Sequence, residues 1–411
     1  GHRRGRRKWA GCPHCVTNDH TFGIIHGRVL NLCIWEISPY EWASFQAVSM
    51  STKNQEYFLR NKIKVKLVAI AKDEAPYLPH WIYHHFSIGI DFIEIHLNGI
   101  TDNSLEICKK ISRRDKRLIY LKGDERLQKC LERNQKYQIS AYNKSINRSK
   151  NGKDSATHIL FLDIDEYLIN TKGRNCIKSL IRSCPDADAF SFLWYFEHWQ
   201  GNKKAFANPL TGHRSAVKVC TLKTLIKVSS RIKSYNQHNA IYDENCQPKN
   251  LLAETGIHLI PKINACERRA MVTKQLLQML GEDNVEEWII YHSIFKSRTE
   301  YLSSLLRGNQ QSLYSAPVKT NRWGLTNGDG DIVYIDLSRR QKRHIIGYTL
   351  FLLKYNLYSE LIDAKKYLIE RRLQLHSLLR NEPWIREKWP HIFKGTMYSS
   401  ESTHCHSIKR P

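Results

Sequence analysis

The chain has 411 residues, 41% of them hydrophobic, and carries 64 Lys and Arg against 39 Asp and Glu, for a formal net charge of +25. This length suits one large α/β domain with additions, or two domains, and the apolar fraction excludes wholesale disorder. The positive charge favours polyanionic partners, namely nucleotide diphosphates, anionic glycans, anionic lipid headgroups or nucleic acid.

The first segment, residues 1–60, has no clear hydrophobic period, and we interpret it as an accessory N-terminal segment. The 11 cysteines are scattered, which indicates reduced thiols in the cytoplasm. Cys12 and Cys15 form one close pair and are candidate ligands of a structural zinc ion. The sequence shows neither a signal peptide nor a spanning apolar run, so we expect a cytoplasmic protein with at most peripheral contact to the inner membrane face.

Residues 61–310 alternate short apolar runs with amphipathic stretches. KVKLVAIAK, DFIEIHLNG and RLIYLKG predict the first three strands, separated by helices, and THILFLDIDEYLI predicts a fourth strand that runs into acidic residues. One long helix is predicted over residues 127–150, before that fourth strand. Strands that alternate with helices in this way predict an α/β fold with a mostly parallel central sheet.

The last third of the chain predicts helices. TEYLSSLLRG reads as a helix after WIIYHSIFKS, and residues 311–395 predict a C-terminal helical extension. Two basic helices are expected at 338–380, separated near Asn356. Residues 396–411 are predicted to be a flexible tail.

Acidic residues follow two of the predicted strands, Asp73 and Glu74 after the first and Asp163 and Asp165 after the fourth. Ligands of parallel sheets bind at the carboxyl ends of strands. We expect the side chains of Asp163 and Asp165 to point the same way, because the side chains of a strand alternate with a period of two. Since Mn²⁺ and Mg²⁺ prefer carboxylate oxygens and neutralise a departing diphosphate, we predict a metal and diphosphate site there.

The ordered series of motifs between residues 64 and 308 resembles that of the family 2-like glycosyltransferases related to family 92. It consists of KDE, HWIYHH, HLNGITDNS, QISAYNKSI, FLDIDEYL, HSIFKS and LLRG. The resemblance implies a GT-A fold, which is Rossmann-like. It also implies a metal-dependent enzyme that moves a sugar from a nucleotide-diphosphate donor to a hydroxyl of a glycan or lipid-linked acceptor, and it favours inversion at the anomeric carbon.

The same resemblance assigns residues to the donor site. It implies nucleotide-sugar binding by Lys72, Asp73, Glu74, Asn98, Asp102, Gln138, Asp163 and Lys296. It implies coordination of Mn²⁺ or Mg²⁺ by Asp163, Asp165 and His292. Leu97 and residues 196–199 depart from the family pattern, which leaves the donor sugar and the acceptor open.

An inverting transfer needs a general base that takes the proton of the acceptor hydroxyl. The catalytic candidates are Glu197, Asp243 and Glu244, with a preference for Glu197 because it follows the predicted strand FSFLWYF. His238 is a candidate acceptor-binding residue. His84 and His85, by contrast, are expected to be packed or surface residues and not ligands. The net charge suggests an anionic acceptor, such as a lipopolysaccharide core or a lipid-linked glycan.

Two other classes of protein fit parts of the sequence. A haloacid-dehalogenase-like, Mg²⁺-dependent phosphatase also has Asp-x-Asp after an apolar strand, but Tyr167 stands where Thr or Val is usual. A nucleic-acid-binding protein fits the charge. Its basic runs, however, lack the interleaved aromatic residues of a stacking platform, so we expect no specific nucleic-acid partner.

Overall fold

The structure of the protein, a computed structural model, describes residues 63–173, 176–201, 203–229, 231–236, 238–259, 262–263, 270–281, 284–308, 316–327 and 330–399. The predicted accessory segment 1–60 and the zinc hypothesis for Cys12 and Cys15 lie outside these residues. So does most of the predicted tail, from residue 400 onward.

The first half of the described chain forms the parallel part of the central sheet. Its elements are β1 (Val65–Ala71), α1 (Leu78–Ser87), β2 (Phe92–Leu97), α2 (Ser104–Arg114), β3 (Leu118–Lys122), α3 (Asp124–Glu132), α4 (Tyr137–Lys150) and β4 (His158–Phe161). The strands lie side by side in the order β4, β1, β2, β3 and are parallel throughout. β1 and β4 are buried along almost their whole length, as expected of strands covered on both faces.

The second half extends the same sheet. It contains β5 (Glu166–Asn170), α5 (Ile177–Ser183), β6 (Ala189–Glu197), β7 (His213–Lys227), β8 (Ile232–Tyr235), β9 (Ala240–Tyr242), β10 (Asn250–Leu252), β11 (Ile257–His258), β12 (Lys262–Ile263), β13 (Ala270–Met271), α6 (Lys274–Met279) and β14 (Trp288–His292). β7 runs antiparallel to β4 and β6, and β14 pairs in parallel with β6 and antiparallel with β5. The predicted α/β fold with a largely parallel core is confirmed, with antiparallel strands added on the β7 side.

Two predicted elements are interrupted. The single helix expected at 127–150 is divided into α3 and α4, and between them Asn134 takes a left-handed backbone conformation with φ of 50°. Asn tolerates this conformation better than most residues, which allows the chain to turn there. The predicted fourth strand ends at Phe161, and the chain turns before β5 begins at Glu166. The acidic motif is therefore a turn between two strands.

The C-terminal helices pack directly on the sheet and its flanking helices. They are α7 (Arg298–Leu305), α8 (Ser338–Tyr355), α9 (Tyr358–Asn381) and α10 (Trp384–Lys388), with strand β15 (Ile332–Asp336) before α8. The separation expected near Asn356 is confirmed, because this residue adopts φ of 52° between α8 and α9. Tyr355 donates a hydrogen bond of 2.8 Å to Asp115 at the end of α2. In the described part of the chain, no helix is both long and apolar enough to cross a membrane.

Of the packed and surface positions expected for His84 and His85, the structure shows the packed one. Both are buried within α1, and their ring nitrogens lie 2.8 and 2.9 Å from the backbone carbonyls of Leu168 and Trp81. Burial lowers the pKa of His85 to about 3, so its ring is neutral in the folded protein. These histidines hold α1 against β5.

Candidate active site

The acidic motif lies where the carboxyl end of β4 meets the carboxyl end of β14. The backbone N–H of Glu166 donates to the carbonyl of Asp163 at 3.0 Å and closes the turn. In the antiparallel ladder of β5 and β14, Glu166 pairs with His292. The N–H of Ser293 donates to the carbonyl of Asp165 at 2.8 Å. This register brings residues about 130 positions apart into one site, as a sheet pairing does.

Asp165 is the acid at the centre of this site. Its Oδ1 lies 3.4 Å from Nε2 of His292, and its side chain is 19% exposed. Burial by itself would raise the pKa of Asp165, but the positive charges of His292 and Lys296 outweigh burial and hold it well below its ordinary value. Asp165 is therefore an ionised carboxylate that faces an imidazole.

Asp163 occupies a different environment. Its side chain is 43% exposed, with Oδ2 3.8 Å from Nζ of Lys223 and Oδ1 3.4 Å from Nε2 of Gln138. Gln138 lies on the first turn of α4, so this helix contacts the acidic motif directly. The expectation that the two aspartates point the same way is wrong, because the motif is a turn and not a strand. Asp163 faces solvent and Asp165 faces the protein.

His292 is buried between aromatic rings. Its ring centroid is 5.0 Å from that of Trp194 and 5.2 Å from that of Phe196. Burial lowers the pKa of a histidine, but the carboxylate of Asp165 reverses the effect and raises the pKa of His292. Its Nδ1 has no hydrogen-bond partner within the described residues. The ring is thus held in one place and directs Nε2 to Asp165.

A buried ion pair supports the turn from below. Oε2 of Glu166 accepts the N–H of Asp163 at 2.9 Å and lies 3.0 Å from Nζ of Lys223. Both side chains are fully buried, and burial raises the pKa of Glu166 to about 7. The negative charges nearby raise the pKa of Lys223 despite its burial, so the ammonium remains charged. Glu166 and Lys223 act as positioning residues for the aspartates.

Two of the three predicted metal ligands, Asp165 and His292, lie together. Within the described ranges, no group of three or more His, Cys, Asp or Glu side chains is already arranged around one point. Oδ1 of Asp165 and Nε2 of His292 nevertheless lie 3.4 Å apart. Asp163, two residues before Asp165 in the sequence, adds a more exposed carboxylate. Mg²⁺ is commonly held by one or two carboxylates, several waters and the phosphates of a substrate, so a closed protein cage is not required.

Cationic side chains surround a small cleft beside Asp165. Lys296 and Arg307 flank Glu74, with Nζ 3.6 Å from Oε2 and Nη1 2.6 Å from Oε1. Arg322 lines the same cleft, and its Nε has no hydrogen-bond partner among the described residues. Burial, followed by repulsion from Arg322 and Arg307, lowers the pKa of nearby Lys319. Cations that repel one another in this way make a site for an anion.

The sequence motifs did not identify Lys319 and Arg322. Both lie in an irregular segment after α7, and the chain has 64 cationic residues. No local pattern distinguishes these two from the rest. Arg307 did have a signal, because it belongs to the LLRG that ends the helix before this segment.

Asp73 and Asp102 are engaged in internal bonds. Asp73 adopts φ of 50°, and its carboxylate accepts the N–H of Thr101 at 2.7 Å and the guanidinium of Arg371 at 3.0 Å. Asp102 accepts the N–H groups of Ala75 and Ser104 at 2.8 and 2.9 Å. Burial raises the pKa of Asp102. The two acids join the β1 and β2 loops to each other and to α9, so they form the wall of the site.

Asn98 and Lys72 lie on the nucleotide side predicted from the motifs. Asn98 follows β2 and is fully buried, and neither its Nδ2 nor its Oδ1 has a hydrogen-bond partner within the described residues. Lys72 passes close to Gly99, where an added Cβ would lie 3.4 Å from its Cε. Burial lowers the pKa of Lys72. A buried amide with both groups unpaired is costly, which makes Asn98 a candidate for a polar ligand contact.

The predicted base candidates are separated by the fold. Glu197 ends β6, and its Oε2 accepts a hydrogen bond of 2.9 Å from Ser293 while Oε1 pairs with Lys203. Glu197 therefore contacts the residue that follows His292 in the sequence. Asp243 lies elsewhere. Its N–H donates to the backbone carbonyl of Arg231, and the guanidinium of Arg231 pairs with Asp188, the residue before β6. That is the opposite end of β6 from Glu197, so the structure separates Asp243 and its neighbour Glu244 from Asp165 and His292.

His238 also differs from its predicted role. It is buried, its Nδ1 lies 2.8 Å from the carbonyl of Leu222, and its ring centroid is 5.1 Å from that of Trp194. Trp194 also contacts His292, with ring centroids 5.0 Å apart. His238 thus supports the wall behind the acid–imidazole pair, and it does not present Nδ1 to an acceptor.

A cavity of about 230 Å³ opens beside Asp165. Ser293, Lys296 and Lys203 line its inner side, and α8 and α9 close its outer side with Tyr348 and Tyr358. A concave site with apolar and aromatic walls and a few convergent polar groups is typical of small-molecule binding. The C-terminal helices, predicted only as an extension, are therefore part of the site.

Comparisons with known proteins find only weak similarity. No protein-family profile matches the chain, and no curated protein is significantly similar to it in sequence. Solved structures that match in part include the galactosyltransferase LgtC in complex with donor and acceptor sugar analogues, at 14% identity and a TM-score of 0.21, over 31% of this chain and 46% of that chain. HddC from Yersinia pseudotuberculosis matches at 13% identity and a TM-score of 0.23, over 40% of this chain and 73% of its own. The chain thus spans less than half of LgtC.

Proposed function

We propose that the protein is a metal-dependent glycosyltransferase that moves a sugar from a nucleotide-diphosphate donor to a hydroxyl of a glycan or lipid-linked acceptor. The observation that carries this proposal is the pairing of Asp165 with His292 at the strand ends, 3.4 Å apart and beside a cleft lined by cations. Negative groups that can hold a divalent ion, next to positive groups that can hold phosphates, match a nucleotide diphosphate.

The donor would be held by both kinds of group. Asp165 and His292 would hold Mn²⁺ or Mg²⁺, and Asp163, which is more exposed, would bind the ribose or a water of the ion. The bound ion supplies charge neutralisation to the diphosphate as it leaves. Lys296, Arg307 and Arg322 contribute positive charge on the other side of Asp165. Fixed charges of this kind stabilise a leaving group without reorganisation during the reaction.

Glu197 is the base that the geometry supports. Lys203 pairs with its carboxylate, and Ser293 donates a hydrogen bond to it beside the donor site. In an inverting transfer, Glu197 would take the proton of the acceptor hydroxyl as that oxygen bonds to the anomeric carbon. The bond from the anomeric carbon to the diphosphate breaks at the same time, and the diphosphate leaves with the electron pair.

The proposal is tested by the release of nucleoside diphosphate from UDP- and GDP-sugars. We expect Mn²⁺-dependent release by the wild-type protein. We expect none by the Asp163→Asn, Asp165→Asn double variant with an unchanged circular dichroism spectrum. Full activity of the double variant would refute the proposal, and so would rapid hydrolysis of an aryl phosphate without cleavage of any nucleotide sugar.

A further inference from the structure

A second polar groove lies outside the donor site, along the outer face of α4. We call it the α4 groove. It has a volume of about 950 Å³ and is bounded by Arg126 on α3, by the turn at 134–136 and by the outward residues of α4. Since α4 has 14 residues, the groove is about 20 Å long, which suits an extended chain better than a single sugar.

The side chains that line the α4 groove are cations and amides. The cations are Arg126, Lys136, Lys144, Arg148 and Lys153, and none of the described residues that line the groove is acidic. The lining also includes the amides of Asn134, Gln135, Asn147 and Asn151. An amide both donates and accepts hydrogen bonds, as a sugar hydroxyl does, whereas lysine and arginine bind sulfate, phosphate or carboxylate groups.

The cations of the groove lie close enough to affect one another. Burial lowers the pKa of Lys144, and the positive charges of Arg126 and Arg148 lower it further. Arg126 is fixed by a hydrogen bond of 3.2 Å from Nη1 to Oγ of Ser140, on the groove face of α4. Arg148 lies 3.5 Å from the buried Glu94, so part of its charge is already balanced. An anionic ligand would relieve the repulsion that remains.

The composition of the groove favours a glycan over a nucleic acid. Single-stranded nucleic acids are held by aromatic side chains on which bases stack. The described lining of the α4 groove has no aromatic residue, and its one apolar side chain is Ile139. The described lining of the groove therefore offers amides that can bond to sugar hydroxyls and cations that can bind anionic groups, but no surface on which bases could stack.

We propose that the α4 groove is a docking site for an anionic glycan chain, which it guides to the donor site. The helix itself connects the two places, because Gln138 at its start lies 3.4 Å from Asp163 while Lys144 and Asn147 line the groove further along. The direction of transfer rests on the proposed function, since the glycan would be the acceptor. The docking itself does not depend on it.

The test is the binding of fluorescently labelled dextran sulfate, with neutral dextran as the uncharged probe. We expect salt-sensitive binding of dextran sulfate alone, weakened at least about tenfold by the Lys136→Glu, Lys144→Glu variant, because two attractive charges become repulsive. The matched control is Lys116→Glu, Lys366→Glu, which makes the same charge change at two exposed lysines elsewhere. It should bind as the wild type does.

Two results would overturn the docking site. One is an equal loss of binding in the control variant, which would show that only net charge matters. The other is tighter binding of single-stranded RNA than of dextran sulfate, lost on charge reversal in the groove, which would make it a nucleic-acid site. The Asp165→Asn variant should bind dextran sulfate normally, so failure of the proposed function and failure of the groove are distinguishable.

Discussion

Replacing Asp165 with asparagine is expected to lower kcat for nucleotide-sugar cleavage at least about 100-fold, whereas Asp163→Asn should mainly raise KM. Asp165 lies 3.4 Å from His292 and is ionised, so its negative charge would bind the ion directly. Asp163 is 43% exposed and contacts Gln138 and Lys223 at the rim. Steady-state release of nucleoside diphosphate at saturating Mn²⁺ separates the two effects.

The matched control for these variants is Asp363→Asn, which removes one carboxylate from an exposed position on α9. Its kinetic constants should equal those of the wild type. Equal losses of kcat in the Asp163 and Asp165 variants would contradict the division of roles between the two aspartates. Retained kcat in Asp165→Asn would contradict the assignment of the centre itself.

The second large effect is expected on stability, from Lys223→Met. This change leaves the fully buried Glu166 without its cation, and breaking a buried pair in this way costs about 3–5 kcal/mol. Glu166 already has a pKa raised to about 7 by burial, above its ordinary value of 4.5. A carboxyl group whose pKa is higher in the folded protein than in the unfolded chain lowers the free energy of unfolding as the pH rises from the unfolded value to the folded one. Relative to the wild type, the variant should therefore lose more stability at pH 8 than at pH 5. Urea unfolding at both pH values measures the difference.

The double variant Lys223→Met, Glu166→Gln is the control, since glutamine keeps an oxygen for the N–H of Asp163 and carries no charge. We expect it to be more stable than Lys223→Met alone at pH 8, and nearly insensitive to pH over the same interval. A single variant whose deficit is independent of pH would show that the loss comes from packing and not from an unpaired carboxylate.

The parallel part of the fold could be predicted because its signals are local. β1, β2 and β4 are short apolar runs, and polar residues follow each of them at the same edge of the sheet. The turn at Asn134 could not be predicted in the same way, because the hydrophobic pattern of residues 127–150 continues across it. β5 was missed for a related reason, since EYLIN continues the apolar run of β4 and only the turn at Asp163 separates the strands.

The acidic residues of the candidate site could be predicted from the sequence, whereas most of the residues around them could not. The proximity of His292 to Asp165 depends on the register of β14 with β5, which no local pattern contains. Resemblance to known motifs nevertheless pointed to both residues. The sequence favoured Glu197 over Asp243 only because a predicted strand precedes Glu197, and the course of the β8–β9 hairpin places the two residues apart. Arg371 reaches Asp73 from α9, across nearly 300 residues of sequence.

If the proposed function holds, this site binds a nucleotide sugar together with a divalent ion. The melting temperature with a panel of UDP- and GDP-sugars, with and without Mn²⁺, tests this binding. A ligand at about 100 times its Kd adds about 2.7 kcal/mol of stability. We predict a rise of several degrees with at least one nucleotide sugar, dependent on Mn²⁺ and lost in Asp165→Asn. No rise with any nucleotide sugar, in the presence or absence of the ion, would contradict the claim.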